Sequence, residues 1–147
     1  MDPFKDTEVI DQRAPRANQA VVALVTAAAY LLDFWPLVTL MGLQLIVGLT
    51  FGRRWCLPCW LYFKVIQPRF GEGRIEDSRP PRFANIVGAV FMSAATVLFL
   101  AGATAAGWVA TLIVTALAGF AAVSGICAGC ELYVLFARLR GVKLATR

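Results

Sequence analysis

The sequence predicts an all-α integral membrane protein in which four transmembrane helices form two tandem, parallel hairpin repeats. Each hairpin is followed by a short interfacial helix. Three observations predict this fold: the composition, the placement of positive charge and an internal repeat. Of 147 residues, 59% are hydrophobic and 16% are charged, and the mean hydropathy is +0.69. Soluble domains have about 25% charged residues, so this composition excludes an ordinary soluble globule.

The first half contains two apolar runs, from Ala17 to about Phe34 and from Pro36 to Phe51. Because proline disfavours helix at the residue before it, the chain is expected to reverse around Asp33 and to restart with Pro36 in the first turn. Each run is short against the roughly 20 residues that span a bilayer. A re-entrant hairpin is therefore the alternative to two crossings.

The second half contains two longer runs, from Phe83 to Ala103 and from Gly107 to Ile126. Both are long enough to cross a membrane, and the turn between them is expected around Ala105 to Gly107. The whole chain, residues 1 to 147, is predicted to be one membrane domain.

Lysine and arginine predict the orientation, because cytoplasmic flanks of membrane helices collect them. All 14 lie outside the two hairpin turns. They flank the first run (Lys5, Arg13, Arg16), fill the central loop (Arg53, Arg54, Lys64, Arg69, Arg74, Arg79, Arg82) and follow the fourth run (Arg138, Arg140, Lys143, Arg147). We expect a multi-pass protein of the bacterial cytoplasmic membrane with both termini cytoplasmic. The net charge of +5 then indicates contact with lipid headgroups and not with nucleic acid.

The two halves repeat one pattern. Pro15-Arg16-Ala17-Asn18 opens the first helical pair, and Pro81-Arg82-Phe83-Ala84-Asn85 opens the second. Each pair ends in Cys-x-x-Cys followed by x-Leu-Tyr, at Cys56 and at Cys127. Repeat one is predicted over 13 to 69, a loop over 70 to 80 and repeat two over 81 to 141. Since each unit crosses the membrane twice, the copies share one orientation.

The segments after the cysteine pairs are apolar with flanking cations, which predicts interfacial helices over Trp60 to Ile66 and Leu132 to Leu139. The linker from Gln67 to Arg82 is rich in proline, glycine and charge and is expected to be a mobile loop. Asn18 and Asn85 lie at equivalent repeat positions. We expect them either to cap helix starts or to hydrogen-bond across the repeat axis.

The four cysteines carry the chemistry that the sequence offers. There is no histidine, which excludes Ser-His-Asp and Cys-His pairs and all imidazole metal ligands. Cys56 is the expected nucleophile, since a helix start and the nearby Arg53 and Arg54 favour its thiolate. Cys59 would resolve, and Cys127 with Cys130 would form a second redox pair. Glu131 and the lack of a cation predict that the second pair is harder to ionise.

Three interpretations of these cysteines remain open. The first is exchange of disulfide or sulfane sulfur with a cytoplasmic thioredoxin-like or rhodanese-like partner. The second is one site in which Cys56, Cys59, Cys127 and Cys130 hold zinc or an iron-sulfur cluster. In the third they are buried structural thiols, for example in a small uptake or accessory subunit for a sulfur compound. The sequence decides neither whether the protein is an enzyme nor whether it forms a homo-oligomer.

Several segments resemble one known family. They are Asp11-Gln12-Arg13, Pro15 to Asn18, Asp77 to Ala84 and Gly125 to Tyr133. From about Asp11 to Gly141 the chain is similar to the domain of unknown function 4395, a family of small bacterial membrane proteins common in actinobacteria. Family members are often encoded near thioredoxin-like and sulfurtransferase proteins, which implies thiol or sulfur partners. The family's Cys-x-Gly-Cys falls on Cys127, Gly129 and Cys130.

Overall fold

A computed structural model describes residues 4 to 144, which are mostly helical; Arg147, one of the predicted cytoplasmic charges, lies outside this range. The helices are α1 (Arg13–Leu31), α2 (Pro36–Thr50), α3 (Leu57–Leu61), α4 (Gln67–Phe70), α5 (Arg79–Leu100), α6 (Thr104–Ser124) and α7 (Ala128–Leu139). A π-helical turn, Tyr62–Ile66, joins α3 to α4. The two strands are β1 (Val9–Asp11) and β2 (Ile75–Asp77).

Helices α1, α2, α5 and α6 form a bundle. α1 packs against α6 and α2 against α5, while the two helices of each hairpin also contact one another. Small side chains permit close approach: a Cβ added at Gly42 would lie 3.0 Å from the Cβ of Met92. A hydroxyl pair crosses each of the two interfaces between hairpins, Thr26 with Thr115 at 2.8 Å and Thr39 with Thr96 at 3.1 Å.

The first hairpin turn lies where the sequence predicts it. Asp33 adopts φ 49°, the N–H of Phe34 donates to the carbonyl of Ala29 at 2.9 Å, and α2 begins at Pro36. Proline suits this first position because the N–H it lacks would have no partner within the helix. The carboxylate of Asp33 is exposed and accepts a hydrogen bond from Trp108 Nε1 at 3.2 Å.

The second hairpin turn lies at Ala101 to Ala103, so the expected position around Ala105 to Gly107 is wrong. Gly102 supplies the positive φ, 81°, that residues with a Cβ rarely adopt. Gly107 instead packs in the first part of α6, where an added Cβ would meet the Phe99 ring at 2.7 Å. The small size of Gly107 serves helix packing and not a turn.

A two-stranded antiparallel sheet lies outside the all-α prediction. Val9 pairs with Asp77, Ile10 with Glu76 and Asp11 with Ile75. The sheet ties the N-terminal segment to the linker between the two halves. Each strand has only three residues, and neither has a pairing partner nearby in sequence, so local patterns do not predict them.

The prediction of a loop over Gln67 to Arg82 is wrong at both ends and in the middle. Residues 67 to 70 continue the helical segment that starts at Leu57, residues 75 to 77 form β2, and α5 already begins at Arg79. Pro80 and Pro81 fit the first turn of α5 because that turn leaves N–H groups unpaired.

The helices predicted after the cysteine pairs are present. Trp60 to Ile66 lies within the helical segment from Leu57 to Phe70, and Leu132 to Leu139 lies within α7. α3 packs against α1, and α7 packs against α5.

Two helices of the described chain are long and apolar enough to cross a membrane. They are α5 and α6, with 22 and 21 residues and a window hydropathy of 2.0 each. α2 is apolar but has 15 residues. Length and composition therefore support two of the four predicted crossings.

Candidate functional site

Both cysteine pairs lie at the start of a helix in the same backbone geometry. Cys56 precedes α3 with φ −81° and ψ 102°, and Cys127 precedes α7 with φ −93° and ψ 113°. Their carbonyls accept the N–H groups of Trp60 at 2.8 Å and of Glu131 at 2.9 Å. Cys56 and Cys127 thus occupy N-cap positions, and the second cysteine of each pair lies in the first helical turn. This brings the two sulfurs of a pair together.

The first pair, Cys56 and Cys59, is joined by a disulfide bond with the two Cα atoms 5.2 Å apart. Both residues are buried, 7% and 8% exposed, and belong to a small apolar cluster that includes Tyr62 and Phe63. The cluster fills the space between α1 and the helical segment after Cys56. In this state Cys56 has no free thiolate.

The second pair, Cys127 and Cys130, consists of free, half-buried thiols. The pKa of Cys127 is lowered to about 6. The largest cause is a hydrogen bond from the Cys130 thiol, and the backbone N–H of Cys130 and the Gln19 amide also lower the pKa, whereas burial raises it. Gln19 Nε2 lies 3.0 Å from Cys127 Sγ. The same thiol hydrogen bond, together with burial and the charge of Glu131, raises the pKa of Cys130. The two shifts favour a thiolate at Cys127 and a protonated thiol at Cys130 at neutral pH.

The expectation that the second pair is harder to ionise is therefore wrong for Cys127 and right for Cys130. Local hydrogen bonds, which charge counting along the sequence does not reveal, lower the pKa of Cys127. Arg53 and Arg54, which were expected to favour the Cys56 thiolate, instead contact the N-terminal segment. Arg53 donates to the carbonyl groups of Asp6 and Val9 at 2.9 and 2.8 Å, and the Arg54 guanidinium lies 5.7 Å from the ring centroid of Phe4.

Helix α1 contacts both cysteine pairs with consecutive side chains. The buried Asn18 has its Oδ1 3.8 Å from Cys56 Sγ, while Gln19 reaches Cys127. Asn18 Nδ2 also donates to Asn85 Oδ1 on α5 at 3.2 Å. These asparagines were expected either to cap helix starts or to hydrogen-bond to each other across the repeat axis, and the structure shows the hydrogen bond.

A cavity opens beside each pair. The larger, about 430 Å³, is lined by Cys127 and Cys130 together with charged residues of α1, β2 and α7. Its charged lining residues are Arg16, Glu76, Asp77, Glu131 and Arg138. The other, about 300 Å³, is lined by Cys56 and Cys59 with Asn18 and Asn85 among its polar residues. Solvent-sized molecules therefore have space beside both pairs.

The two pairs do not form the shared four-sulfur metal site that one interpretation requires. Within residues 4 to 144, no group of three or more cysteine, aspartate or glutamate side chains is gathered as a metal site. Two of the four sulfurs are also bonded to each other, whereas zinc and iron-sulfur clusters are held by thiolates.

Two aspartates that sequence reasoning did not assign support the framework of the site. Asp11 Oδ1 accepts the N–H of Arg13, and Asp77 Oδ1 accepts that of Arg79, each at 2.9 Å. The fully buried Asp11 also accepts Tyr62 Oη at 3.0 Å. Burial and this hydrogen bond raise the pKa of Tyr62 to about 12.

A sequence signal for these aspartates exists. Asp-x-Arg-x-Pro-Arg occurs at residues 11 to 16 and again at residues 77 to 82. The offset is constant, since 77 − 11 and 82 − 16 both give 66. Each aspartate lies four residues before its Pro-Arg pair, so the internal repeat extends back to both aspartates.

The family model of the domain of unknown function DUF4395 matches residues 10 to 138. The match covers most of the chain, so the protein belongs to this family, as the resemblance indicated. No curated protein and no solved structure matches the chain.

Proposed function

We propose that this DUF4395 protein is a membrane-embedded thiol protein that exchanges disulfide or sulfane sulfur with a cytoplasmic thioredoxin-like or sulfurtransferase-like partner. One observation carries the proposal: two cysteine pairs of the same local geometry are in opposite redox forms. Cys56 and Cys59 form a disulfide, whereas Cys127 and Cys130 are a dithiol. Disulfides are rare in the cytosol except where they are transient, catalytic or redox-sensing, so a pair on that face is expected to cycle.

We assign the attack to Cys127 and not to Cys56, the residue expected from the sequence. Cys127 has the lower-pKa thiol and lines the larger cavity, while the Cys56 sulfur is bonded and buried. The Cys127 thiolate attacks one sulfur of a partner disulfide, and the other partner sulfur leaves as a thiolate. Cys130 then attacks Cys127, its proton passes to a departing partner thiolate, and solvent supplies the second proton. The products are a Cys127–Cys130 disulfide and a partner dithiol.

The same two residues suit sulfane sulfur. The Cys127 thiolate would attack the outer sulfur of a partner persulfide, which becomes Cys127-S-SH as the partner thiolate leaves. Attack by Cys130 on the inner sulfur would release hydrogen sulfide and form the same disulfide.

We further propose that α1 and α2 also cross the membrane. Both present large apolar side chains on the outside of the bundle, for example Leu24 and Leu31 on α1 and Leu40 on α2, which are 70%, 82% and 60% exposed. Between Ala17 and Gly52 the only charged residue is Asp33. The 19 residues of α1 extend about 28 Å, of which the uncharged part from Ala17 extends about 22 Å, against a hydrocarbon thickness of about 30 Å.

The contacts support two parallel repeats. Under the offset of 66 between the halves, residues 9, 10 and 11 correspond to 75, 76 and 77. The strand register pairs 9 with 77, 10 with 76 and 11 with 75, which is the pattern that a two-fold axis through the Ile10 and Glu76 pair generates. α1 against α6 and α2 against α5 are likewise exchanged by such an axis.

Orientation is testable with single-cysteine reporters in a variant whose four native cysteines are serine. A reporter at Ala103, which is exposed in the second hairpin turn, should react with a membrane-impermeant maleimide in intact cells. A reporter at Lys143 should react only after the membrane is permeabilised. The reverse pattern would overturn the cytoplasmic placement of the cysteine pairs.

The exchange reaction is testable by trapping. Cys130→Ser should accumulate a mixed disulfide between Cys127 and the first cysteine of oxidised thioredoxin, identified by mass spectrometry of the linked peptides. Cys127→Ser is the matched control and should trap none. If reduced protein with all four cysteines leaves both thioredoxin disulfide and a rhodanese persulfide unchanged, the proposed function is wrong.

A further inference from the structure

A third cavity extends from the Cys127 pair into the helix bundle. Its volume is about 100 Å³, and its walls come from α1, α2, α5 and α6. Apolar side chains form most of it: Val22, Leu45, Val87, Phe91, Ile113, Val114 and Leu117. The polar side chains that line it are Gln19, Asn85 and Cys127, which all belong to the end of the bundle where α1, α5 and α7 begin.

The cavity has a polar end and an apolar depth. Asn85 and Phe91 are six positions apart on α5, which places them about 9 Å apart along the helix axis. From Cys127 into the bundle, the lining of the cavity thus changes from amide and thiol groups to aliphatic and aromatic side chains. A ligand that fits has a polar group at one end and an apolar body.

The apolar part of the cavity is reached from the lipid side of the bundle. Phe91 on α5 and Ile113 and Leu117 on α6 line the cavity and are also exposed on the outer surface. Both helices are long and apolar enough to span a membrane. A ligand dissolved in the hydrocarbon can therefore enter between them without crossing water.

Cys127 and Gln19 line both this apolar cavity and the polar cavity of about 430 Å³. Cys127 thus faces the polar cavity, which Cys130 also lines, on one side and the apolar cavity on the other. A dithiol that takes part in repeated exchange needs an acceptor or donor of two electrons to return to its starting form.

We propose that the apolar cavity binds the ring of a membrane quinone, and that this quinone oxidises the Cys127 and Cys130 dithiol. The inference rests on the proposed function. A cavity of about 150 Å³ lined by aliphatic and aromatic groups holds benzene, so this smaller cavity of about 100 Å³ encloses part of one ring and leaves the rest in its opening on the lipid side. Quinone carbonyls accept hydrogen bonds, and the amide N–H groups of Gln19 and Asn85 are donors at the polar end. An acyl chain has neither carbonyls for these donors nor an electron-accepting group.

The reaction balances in atoms and electrons. The Cys127 thiolate and the Cys130 thiol lose two electrons and one proton as the bond between their sulfurs forms. The quinone takes up the two electrons, that proton and one more from solvent, and its two carbonyls become the hydroxyl groups of a quinol. The new disulfide is then reduced by a cytoplasmic dithiol partner, which is the exchange proposed above run in the reverse direction.

The test uses reduced full-length protein in detergent with a short-chain ubiquinone as the probe. Wild-type protein should form the Cys127–Cys130 disulfide and one quinol per chain, followed by quinone absorbance and peptide mass. Gly88→Leu fills the cavity from α5, where an added Cβ lies 3.4 Å from Leu45 Cδ1. It should slow oxidation by quinone at least about tenfold, because misplacement by an ångström costs reactions about that much or more.

Controls separate cavity filling from damage to the fold. Leu117→Trp fills the cavity from α6 at a half-exposed position and should give the same loss as Gly88→Leu. Ala94→Leu and Val109→Trp make matching changes at exposed positions on the outside of α5 and α6 and should leave the rate unchanged. In all four variants, reaction of the dithiol with the small aromatic disulfide dithiobis-nitrobenzoate should match wild type.

The outcomes distinguish the two proposals. A dithiol that exchanges with thioredoxin but is not oxidised by quinone, or is oxidised equally fast in Gly88→Leu, overturns the quinone site and leaves the proposed function intact. Quinone oxidation that the cavity variants abolish, without any exchange with protein partners, supports the site and overturns the proposed function. The site is also wrong if a saturated fatty acid displaces the quinone while quinone oxidises the dithiol of Gly88→Leu as fast as that of wild type.

Discussion

Asp11 and Asp77 cap the first helix of each half in the same way, each accepting the backbone N–H two residues on at 2.9 Å. Asp11 goes further, because its second oxygen accepts the Tyr62 hydroxyl at 3.0 Å and the N–H of Gly73 at 2.9 Å. One buried carboxylate therefore joins the start of α1, the linker and the helical segment that follows Cys56.

Asp11→Ala should destabilise the protein by about 3 kcal/mol, since it leaves the buried Tyr62 hydroxyl and the half-buried Gly73 N–H without an acceptor, at about 1–3 kcal/mol for a buried donor, and removes a helix cap. Unfolding in mixed detergent micelles measures the change. Tyr62→Phe removes one of these hydrogen bonds and should cost about 1 kcal/mol. Glu8→Ala, at an exposed side chain of the N-terminal segment, is the control and should cost less than about 0.5 kcal/mol. Equal losses at positions 11 and 8 would contradict the role of Asp11.

The rate at which Cys127 is alkylated should depend on pH with an apparent pKa of about 6. The thiolate is the reactive form, so the rate should rise between about pH 5 and 7 and then level off, whereas an unperturbed cysteine continues to gain reactivity to about pH 8.5. Iodoacetamide labelling at graded pH, resolved by peptide mass, gives the curve.

Variants at the two hydrogen-bond donors test the cause of this pKa shift. Cys130→Ala should move the midpoint upward most, because the Cys130 thiol is the largest stabilising partner of the thiolate, and Gln19→Leu should move it upward less. A wild-type midpoint above pH 8 would show that these contacts do not hold in solution.

Gly129→Ala should loosen the packing of α7 on α5. A Cβ at this position would lie 3.0 Å from the Cβ and 3.1 Å from the Cα of Ala84, so backbone has to move, at a cost of about 1–3 kcal/mol. Gly119→Ala is the matched control in a helix, because its Cβ would lie at an ordinary 3.8 Å from Ala23 Cβ; it should be neutral or stabilising by up to about 1 kcal/mol. The same unfolding measurement compares the two, and a neutral Gly129→Ala would refute the close contact.

Asn18 and Asn85 should be energetically coupled. Their hydrogen bond of 3.2 Å joins α1 to α5, and interhelical hydrogen bonds in membrane proteins average about 0.6 kcal/mol in double-mutant cycles. The cycle of Asn18→Ala, Asn85→Ala and the double variant should give a coupling of about that size. Additive single effects would mean that the two amides stabilise the bundle independently.

Sequence patterns located most of the helices because hydrophobic runs and proline act locally. Pro36 marked the start of α2, and the cysteine pairs marked the starts of α3 and α7. The second hairpin turn was misplaced because Gly102 and Gly107 look alike in sequence, although one supplies a positive φ and the other packs against Phe99. The strands were missed because β1 and β2 are paired over more than sixty intervening residues.

The sequence by itself determined the apolar helices, the recurrence of Cys-x-x-Cys and the family, since these depend on residue type and spacing. Only the tertiary structure decided how the two pairs differ. Cys56 and Cys59 lie buried as a disulfide, while Gln19 and Cys130 surround the Cys127 sulfur with hydrogen-bond donors. The physical reason is that a thiol's pKa depends on the groups within a few ångströms of its sulfur, and the fold brings Gln19 there from 108 positions away.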